Sequence, residues 1–396
     1  MDPALNPYVP GAGTRPPVIA GRDDLVTTAT FALRRARGGL HGKSFIAVGL
    51  RGVGKTVVLN KLQELAEDDK YHVIFVEAHD DASLPKLLIP QLRTALLRMS
   101  HSAAARELAQ RGLRVLRNFA KSLNVKVGDI EVGLDFGEEI GLADSGDITN
   151  DLPELLQVVG QAAKARGTAL AIMIDELQYL STTELSALVM AVHRVSQRGL
   201  PIVVLGAGLP QLLAKMGDSK SYAERLFDFP RVEALSDADA TTAITEPARR
   251  QGVSFTDGAV KEIIKVTKGY PYFLQEWGFV SWNIAKGDQI TQDDVERARP
   301  EAIRRLDESF FRMRLERMTP TERKYIAAMA SLGPGPHLSG DIAKAYGAKV
   351  STVAPLRSSL IAKGMIWSPA YGSTDFTVPL FDDFIRREFP SRQAFE

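Results

Sequence analysis

Two short stretches carry residue types that could do chemistry together. The first, "GLRGVGKT" from Gly49 through Leu50, Arg51, Gly52, Val53, Gly54 and Lys55 to Thr56, has the spacing G-x-x-x-x-G-K-T and runs on into Val57. Its glycines let the backbone curl until the N–H groups point inward, and a helix that follows adds positive potential at its N-terminus. Both effects suit a phosphate chain. In such a loop Lys55 meets the β- and γ-phosphates, and the Thr56 hydroxyl ligates Mg²⁺. The second stretch is Asp175-Glu176, which closes the apolar run Leu170–Ile174. Side chains at the carboxyl edge of a buried strand face a ligand crevice. Asp175 suits a hold on Mg²⁺ through water beside Thr56, and Glu176 suits polarisation of an attacking water. An acid next to the Mg²⁺ aspartate favours hydrolysis over transfer to a second substrate. The ligands expected are ATP or ADP with Mg²⁺.

The elements that must position these residues are legible in part. Ser44–Val48 reads as a short buried strand, and "VVLNKLQELAEDD" after the loop reads as a helix. Further strand candidates are Tyr71–Ala78, Pro201–Leu205 and Arg231–Ala234, which makes five with Ser44–Val48 and Leu170–Ile174. Strands alternating with helical segments predict an α/β core, a P-loop parallel sheet of the ASCE type covered on both faces. The stretch "VVLGAGLPQL" is the one awkward piece. A dinucleotide-binding G-x-G-x-x-G turn would need a third glycine where Gln211 stands, so it reads better as the end of the fourth strand.

Composition narrows the classes. A chain of 396 residues is long enough for two or three domains, and 45% hydrophobic with 24% charged residues is ordinary for a globular protein. A net charge of +1 excludes a generic polyanion binder. The absence of cysteine excludes disulfides, thiolate catalysis and cysteine-ligated metal sites, and the six histidines show no ligand-like spacing. The N-terminal "MDPALNPYVPGAGTRPP" reads as a Pro/Gly tail without the apolar stretch of a signal peptide, and the longest uncharged run is too short to span a bilayer. A cytoplasmic protein with no membrane partner is the expectation.

With the phosphate loop and the acid pair in place, the chain resembles the AAA+ and STAND ATPases, particularly the origin-recognition-like and archaeal-type branch with a C-terminal winged helix. The resemblance implies a sheet ordered 5-1-4-3-2. "VIAGRDDLV" (Val18–Val26) resembles the segment that borders the adenine, which makes Arg22 a nucleotide neighbour. Many members place a polar side chain at the end of the fourth strand; this chain has Gly206, Ala207 and Gly208 there, which implies slow hydrolysis. Arg225, in "KSYAERLFDFP", sits where the family places an arginine finger that reaches a neighbouring copy, so self-association is implied; pairing with Glu224 or Asp228 is the plainer alternative. Gly269-Tyr270-Pro271 resembles the G-x-P of STAND ATPases, with Pro271 in place of a second arginine; helix punctuation is again the plainer alternative.

The domains expected are a tail over 1–17, an ATPase core over 18–235 with an insertion at about 85–150, a helical lid over 236–290, a connector helix over 291–317 and a winged helix over 318–396. The last has helix starts at Thr319 and Ser339, a third helix ending at Gly364, and two β-like runs around Gly372. Between Phe310 and Glu396 stand 12 Lys or Arg against 8 Asp or Glu. Arg357 and Lys363, with Ser351, Thr352, Ser358 and Ser359, are candidate contacts to duplex DNA. In the insertion, Arg111, Arg114, Arg117 and Lys121 share a helix face ahead of an acidic hairpin. The two either satisfy each other or meet separate partners. Two functions follow: a slow ATPase acting as a nucleotide-dependent switch on DNA, or a STAND-like adaptor that recruits an unknown protein effector without DNA.

Overall fold

The structure, a computed structural model, describes residues 1–11, 13–40, 42–125, 139–219 and 223–390, and these fall into two compact units. Most of the acidic hairpin and the start of the segment before Arg225 lie outside the described residues.

One unit comprises Arg22–Gly49 and Lys55–Val232. Its centre is a five-stranded sheet of β1 (Ser44–Val48), β2 (His72–Glu77), β3 (Leu170–Asp175), β4 (Ile202–Gly208) and β5 (Phe227–Asp228), in the order β2-β3-β4-β1-β5. Every pairing is parallel, and β1, β3 and β4 are buried at every position. Continuous burial is what unbroken apolar runs such as "LAIMI" require of a sheet covered on both faces. This is a P-loop ATPase fold in the strand order that the resemblance implies.

Two strand limits differ from the sequence reading. The β4 strand does not stop at Leu205: Gly206 and Gly208 pair with Ile46 and Val48 of β1, so the glycines lie inside the strand. The fifth strand begins earlier than Arg231, at Phe227, which pairs with Ser44. Pro230 has no N–H and interrupts the ladder, although its carbonyl accepts from Val48 N at 2.9 Å and Val232 N donates to Val48 O at 2.8 Å.

Helices α1 (Asp23–Arg37) and α2 (Lys55–Asp68) pack on each other and on β4. Helices α3 (Leu84–Ser100), α4 (Arg106–Ser122), α5 (Ile148–Arg166) and α6 (Thr182–Gln197) stack in succession, with Leu92, Leu113, Leu116, Leu155 and Leu188 fully buried among them. A reciprocal cap between Ser181 and Glu184 starts α6, and Gly167 in the left-handed region ends α5. Short helices α7 (Gln211–Ser219) and α8 (Ala223–Leu226) follow β4.

The basic face of α4 is satisfied internally at two of its arginines. Arg111 Nε and Arg114 Nε lie 2.9 and 3.0 Å from the two oxygens of Glu139. The paired guanidinium hydrogen bonds, that from Arg114 foremost, hold the Glu139 carboxyl below the usual range. Asn118 extends the contact by donating to Glu139 O and Leu142 O.

The other unit comprises Met1–Gly21, Leu50–Gly54 and Glu233–Glu396. Helices α9 (Asp237–Arg249), α10 (Asp257–Thr267) and α11 (Pro271–Ile284) have defined starts: Ser236 and Thr256 cap the first two through their hydroxyls, and proline opens the third. A two-residue parallel pair, β6 (Ser254–Phe255) with β7 (Gln289–Ile290), sits beside them. Helix α12 (Gln292–Leu306) passes through one π turn at Asp307–Phe311 into α13 (Arg312–Glu316). Then come α14 (Pro320–Ala330), α15 (Ser339–Tyr346), α16 (Val350–Ala362) and α17 (Phe381–Glu388), with a small antiparallel sheet of β8 (His337–Leu338), β10 (Ser373–Phe376) and β9 (Ile366–Trp367). No helix among the described residues is long and apolar enough to cross a membrane.

The N-terminal stretch is no loose tail. Tyr8 is 1% exposed and its hydroxyl bonds Ile244 O, Asn6 Nδ2 donates to Phe279 O at 3.0 Å, and Trp282 Nε1 donates to Asp2 O at 3.0 Å. One buried aromatic and a few backbone partners are enough to dock this Pro- and Gly-rich stretch.

Candidate active site

The loop between β1 and α2 has the backbone that its glycines permit. Gly52 and Gly54 have φ of 82° and 93°, a region costly for residues with a Cβ. Nothing lies within 4 Å of a Cβ built on Gly54, so conformation alone demands glycine there; at Gly52 such a Cβ would also stand 2.9 Å from the Tyr270 ring. Gly49 N donates to Gly208 O at 3.1 Å, which ties the start of the loop to the end of β4. Lys55 is the first residue of α2 and is 6% exposed, so its side chain is withdrawn from solvent. Thr56 and Val57 follow on the first turn of the helix, where free N–H groups and the helix dipole favour an anion.

Asp175 is the last residue of β3 and is 3% exposed. The Thr56 hydroxyl donates to its Oδ2 at 2.6 Å, and Glu176 N donates to its Oδ1 at 2.8 Å. Burial pushes the Asp175 carboxyl up; the Thr56 hydrogen bond opposes this, the Glu176 charge adds to it, and the Glu176 N–H and the Lys55 charge oppose it. A buried carboxylate beside a hydroxyl oxygen is a hard, anionic donor pair of the sort a small divalent cation takes, and here it stands against the phosphate loop. The residues present therefore fit Mg²⁺.

Beyond Asp175 the chain turns sharply. Glu176 has φ 54° and ψ 39°, a left-handed conformation that lifts its side chain out of the strand direction, and a 3-10 turn over Leu177–Tyr179 follows. Gln178 in that turn is 8% exposed. Its side-chain carbonyl accepts from Leu209 N at 3.0 Å, and its amide NH₂ donates to the Glu176 carboxylate. The glycines of β4 make room for this turn. A Cβ on Gly206 would lie 2.4 Å from Leu177 Cδ1, and one on Gly208 would lie 2.5 Å from Leu212 Cδ2 and 3.2 Å from Gln178 Oε1. The sequence reading missed Gln178. The signal available was a polar residue two positions after the acid pair, opposite a strand end without a polar side chain.

The remaining candidate residues are spread over the chain. Arg22 precedes α1 as its N-terminal flanking residue and has no side-chain capping bond. Arg225 is exposed on α8, while Asp228, one of the partners considered for it, pairs with Lys43 at 3.0 Å. Pro271 is the first residue of α11, after the buried Tyr270, and so also serves as helix punctuation.

Near the C-terminus, Arg357 and Lys363 are engaged within the fold. Arg357 donates to Thr374 Oγ1 at 2.8 Å, Ser368 Oγ at 2.9 Å and Ser373 O at 3.0 Å. Lys363 Nζ lies 2.7 Å from Glu322 Oε2 and donates to Arg317 O at 3.2 Å. Ser359 likewise donates to Glu322. By contrast Ser351 and Thr352, on the first turn of α16, are exposed, as is Ser358.

Comparison with known proteins accords with this geometry. Residues 18–205 match the family described as AAA ATPase domain, and residues 308–385 match one described as a domain of unknown function (DUF8462). Comparison with curated proteins gives no match. Among solved structures, the Walker-type ATPase of Pyrococcus abyssi is similar at 13% identity and a TM-score of 0.60, covering 95% of this chain and 98% of that one. The ORC2 protein of Aeropyrum pernix, solved as ADPNP–ADP complexes, is similar at 16% identity and a TM-score of 0.54, covering 96% and 97%.

Proposed function

Residues 18–205 being an AAA ATPase domain in a chain with an origin-recognition-like fold, we propose that this ATPase is a slow, nucleotide-dependent switch that acts on duplex DNA through its C-terminal domain. The observation that carries the reading is the 2.6 Å contact between Thr56 and Asp175 beside the buried Lys55. In this reading the backbone N–H groups of Gly49–Val57 and the Lys55 ammonium hold the phosphates of ATP or ADP, and Arg22 borders the base. Thr56 and Asp175 would hold Mg²⁺, whose charge would offset that on the phosphate oxygens. Glu176 orients and polarises the attacking water. Arg225 reaches the site of a second copy, where a permanently charged guanidinium stabilises developing negative charge. Pro271 brings no charge to the phosphates, and Gly206–Gly208 bring no polar side chain, which is why hydrolysis is expected to be slow. An unstimulated turnover near the typical enzyme value of about 10 s⁻¹ would count against this.

For the C-terminal region the reading is a winged helix over 318–396 that meets DNA through the exposed first turn of α16, with Ser351 and Thr352. Support comes from the three helices followed by a β-ribbon and from the basic excess of the segment. Arg357 and Lys363, anchored to Thr374 and Glu322, position that helix and its ribbon instead of reaching outward. The domain limits expected from the sequence belong to the same proposal.

The test is ATP hydrolysis measured with and without duplex DNA over a range of protein concentrations, with Lys55→Ala as the inactive control. A DNA-stimulated rate is the expected result. A rate indifferent to DNA but rising with concentration would instead favour an adaptor that assembles and recruits a protein effector.

A further inference from the structure

Glu176 and the end of β4 are joined by one side chain, and that junction bears on two features at once: the strand end without a polar side chain and the polar residue buried after the acid pair. We propose that Gln178 is the positioning residue for Glu176, supplying from the turn after β3 the polar group that the end of β4 lacks. The inference rests on the hydrolytic reading of Glu176 above.

Three observations carry it. First, the orientation of the Gln178 amide is set by chemistry. The backbone N–H of Leu209 can only donate, so the side-chain carbonyl must face it at 3.0 Å, and the NH₂ is thereby turned to the Glu176 carboxylate, which can only accept while ionised. Second, the space is tight. A Cβ on Gly208 would stand 2.5 Å from Leu212 Cδ2 and 3.2 Å from Gln178 Oε1, so a side chain on the strand there would have to displace Leu212 and crowd Gln178. Third, the turn is held from behind: Lys215 Nζ on α7 donates to Gln178 O at 3.1 Å and to Leu180 O.

These contacts matter because Glu176 stands outside any regular element, on a left-handed residue, with a side chain that must aim at a water and not at solvent. A glutamate side chain has three rotatable bonds, and a fixed donor on its carboxylate removes much of that freedom before substrate arrives. Gln178 thus acts through Glu176. It touches the group that polarises water, and its removal should lower the rate of the chemical step without weakening nucleotide binding.

The experiment compares Gln178→Ala, Gln178→Glu and Gln178→Met with wild type and Glu176→Gln in steady-state ATP hydrolysis, alongside equilibrium binding of a fluorescent ATP analogue. Gln178→Glu keeps the length and the acceptor for Leu209 N–H but removes the donor; Gln178→Met keeps the length without either polar group and stands in should the alanine variant not fold. The expected result is a kcat lowered about 10–100-fold in every folded Gln178 variant, the glutamate one included, with KM and analogue affinity within about twofold of wild type. Activity retained by Gln178→Glu and lost by Gln178→Met would reduce Gln178 to a prop for the β4 turn and overturn the proposal. So would a loss expressed in KM and binding with kcat unchanged. If Glu176→Gln itself keeps the wild-type rate, the hydrolytic reading falls and this inference with it; if Glu176→Gln is inactive while the Gln178 variants turn over normally, only the inference falls.

Discussion

Thr56 and Asp175 stand 119 positions apart in the chain, and the hydroxyl of one donates to the carboxylate of the other across 2.6 Å. The contact joins the first turn of α2 to the end of β3, and it brings two side-chain oxygens to one point. Removing either should separate metal-dependent steps from simple folding. Asp175→Asn and Thr56→Ala are expected to lower Mg²⁺-dependent hydrolysis at least about 100-fold, roughly 2.7 kcal/mol of barrier, while thermal unfolding in the absence of nucleotide shifts little. For Asp175→Asn the small shift is expected to be upward, because it removes a buried charge that has only partial compensation; hydrolysis and calorimetry on the same preparations check both halves.

The end of β4 should resist any enlargement. Gly206→Ala would bring a methyl group within 2.4 Å of Leu177 Cδ1 and 3.4 Å of Ile174 O. Since Leu177 is fully buried, relief requires the turn that carries Gln178 to move. A destabilisation of about 1–3 kcal/mol is expected, read as a lower denaturant midpoint at unchanged slope.

Acid should loosen the C-terminal helices through one carboxylate. Burial alone would raise the Glu322 carboxyl, but the Lys363 ammonium, the Thr319 N–H and the Ser359 hydroxyl outweigh it and hold it at about 2, below its ordinary 4.5. The folded state therefore binds fewer protons than the unfolded chain between these values. The stabilisation is fully present above pH 4.5 and is lost as pH falls toward about 2. With Lys363 partly open to solvent, the contribution is on the order of 1–2 kcal/mol. Thermal unfolding of wild type and Glu322→Gln should show a gap at neutral pH that narrows through this window; a gap at pH 2 as large as that at neutral pH would refute the assignment.

If Arg225 completes the site of a second copy, hydrolysis per molecule should rise with protein concentration and approach a plateau. Arg225→Ala should abolish the rise while leaving the low-concentration rate within about twofold. Rate measurements across a hundredfold range of concentration, paired with sedimentation, separate a lost finger from lost assembly.

How much of this was legible in the chain differs from residue to residue. Lys55, Thr56, Asp175 and Glu176 could be read because a strand, a turn and a helix fix where such residues lie relative to one another, so local spacing stands in for geometry. The sheet order came from the resemblance, since pairing between distant strands leaves no local trace. The glycines of β4 were visible, but their reason was not: they answer to Leu177, Gln178 and Leu212, which reach them only in the folded sheet. Charge was the least informative signal. Arg357 and Lys363 look outward-facing in the sequence, yet each has an acceptor within the fold. For Arg111 and Arg114 the sequence leaves internal pairing and an outside partner both open, because long side chains find partners that periodicity cannot name. How the N-terminal stretch docks is equally illegible in the sequence, since Tyr8, Asn6 and Asp2 meet partners 236, 273 and 280 residues away.

The order of the strands has a consequence for how the chain comes to exist. The loop-bearing strand β1 lies between β4 and β5, so its ladder partner Leu205 is 160 residues downstream of Phe45 and Phe227 is later still. During synthesis β1 and its loop are made early and remain without hydrogen-bonded neighbours until more than half of the chain has emerged, while β2 already waits for β3. Such long-range closure is slow and leaves unpaired edges exposed to other chains. A fragment ending before Ile202 would contain every residue of the phosphate loop and the acid pair and still be unable to assemble them.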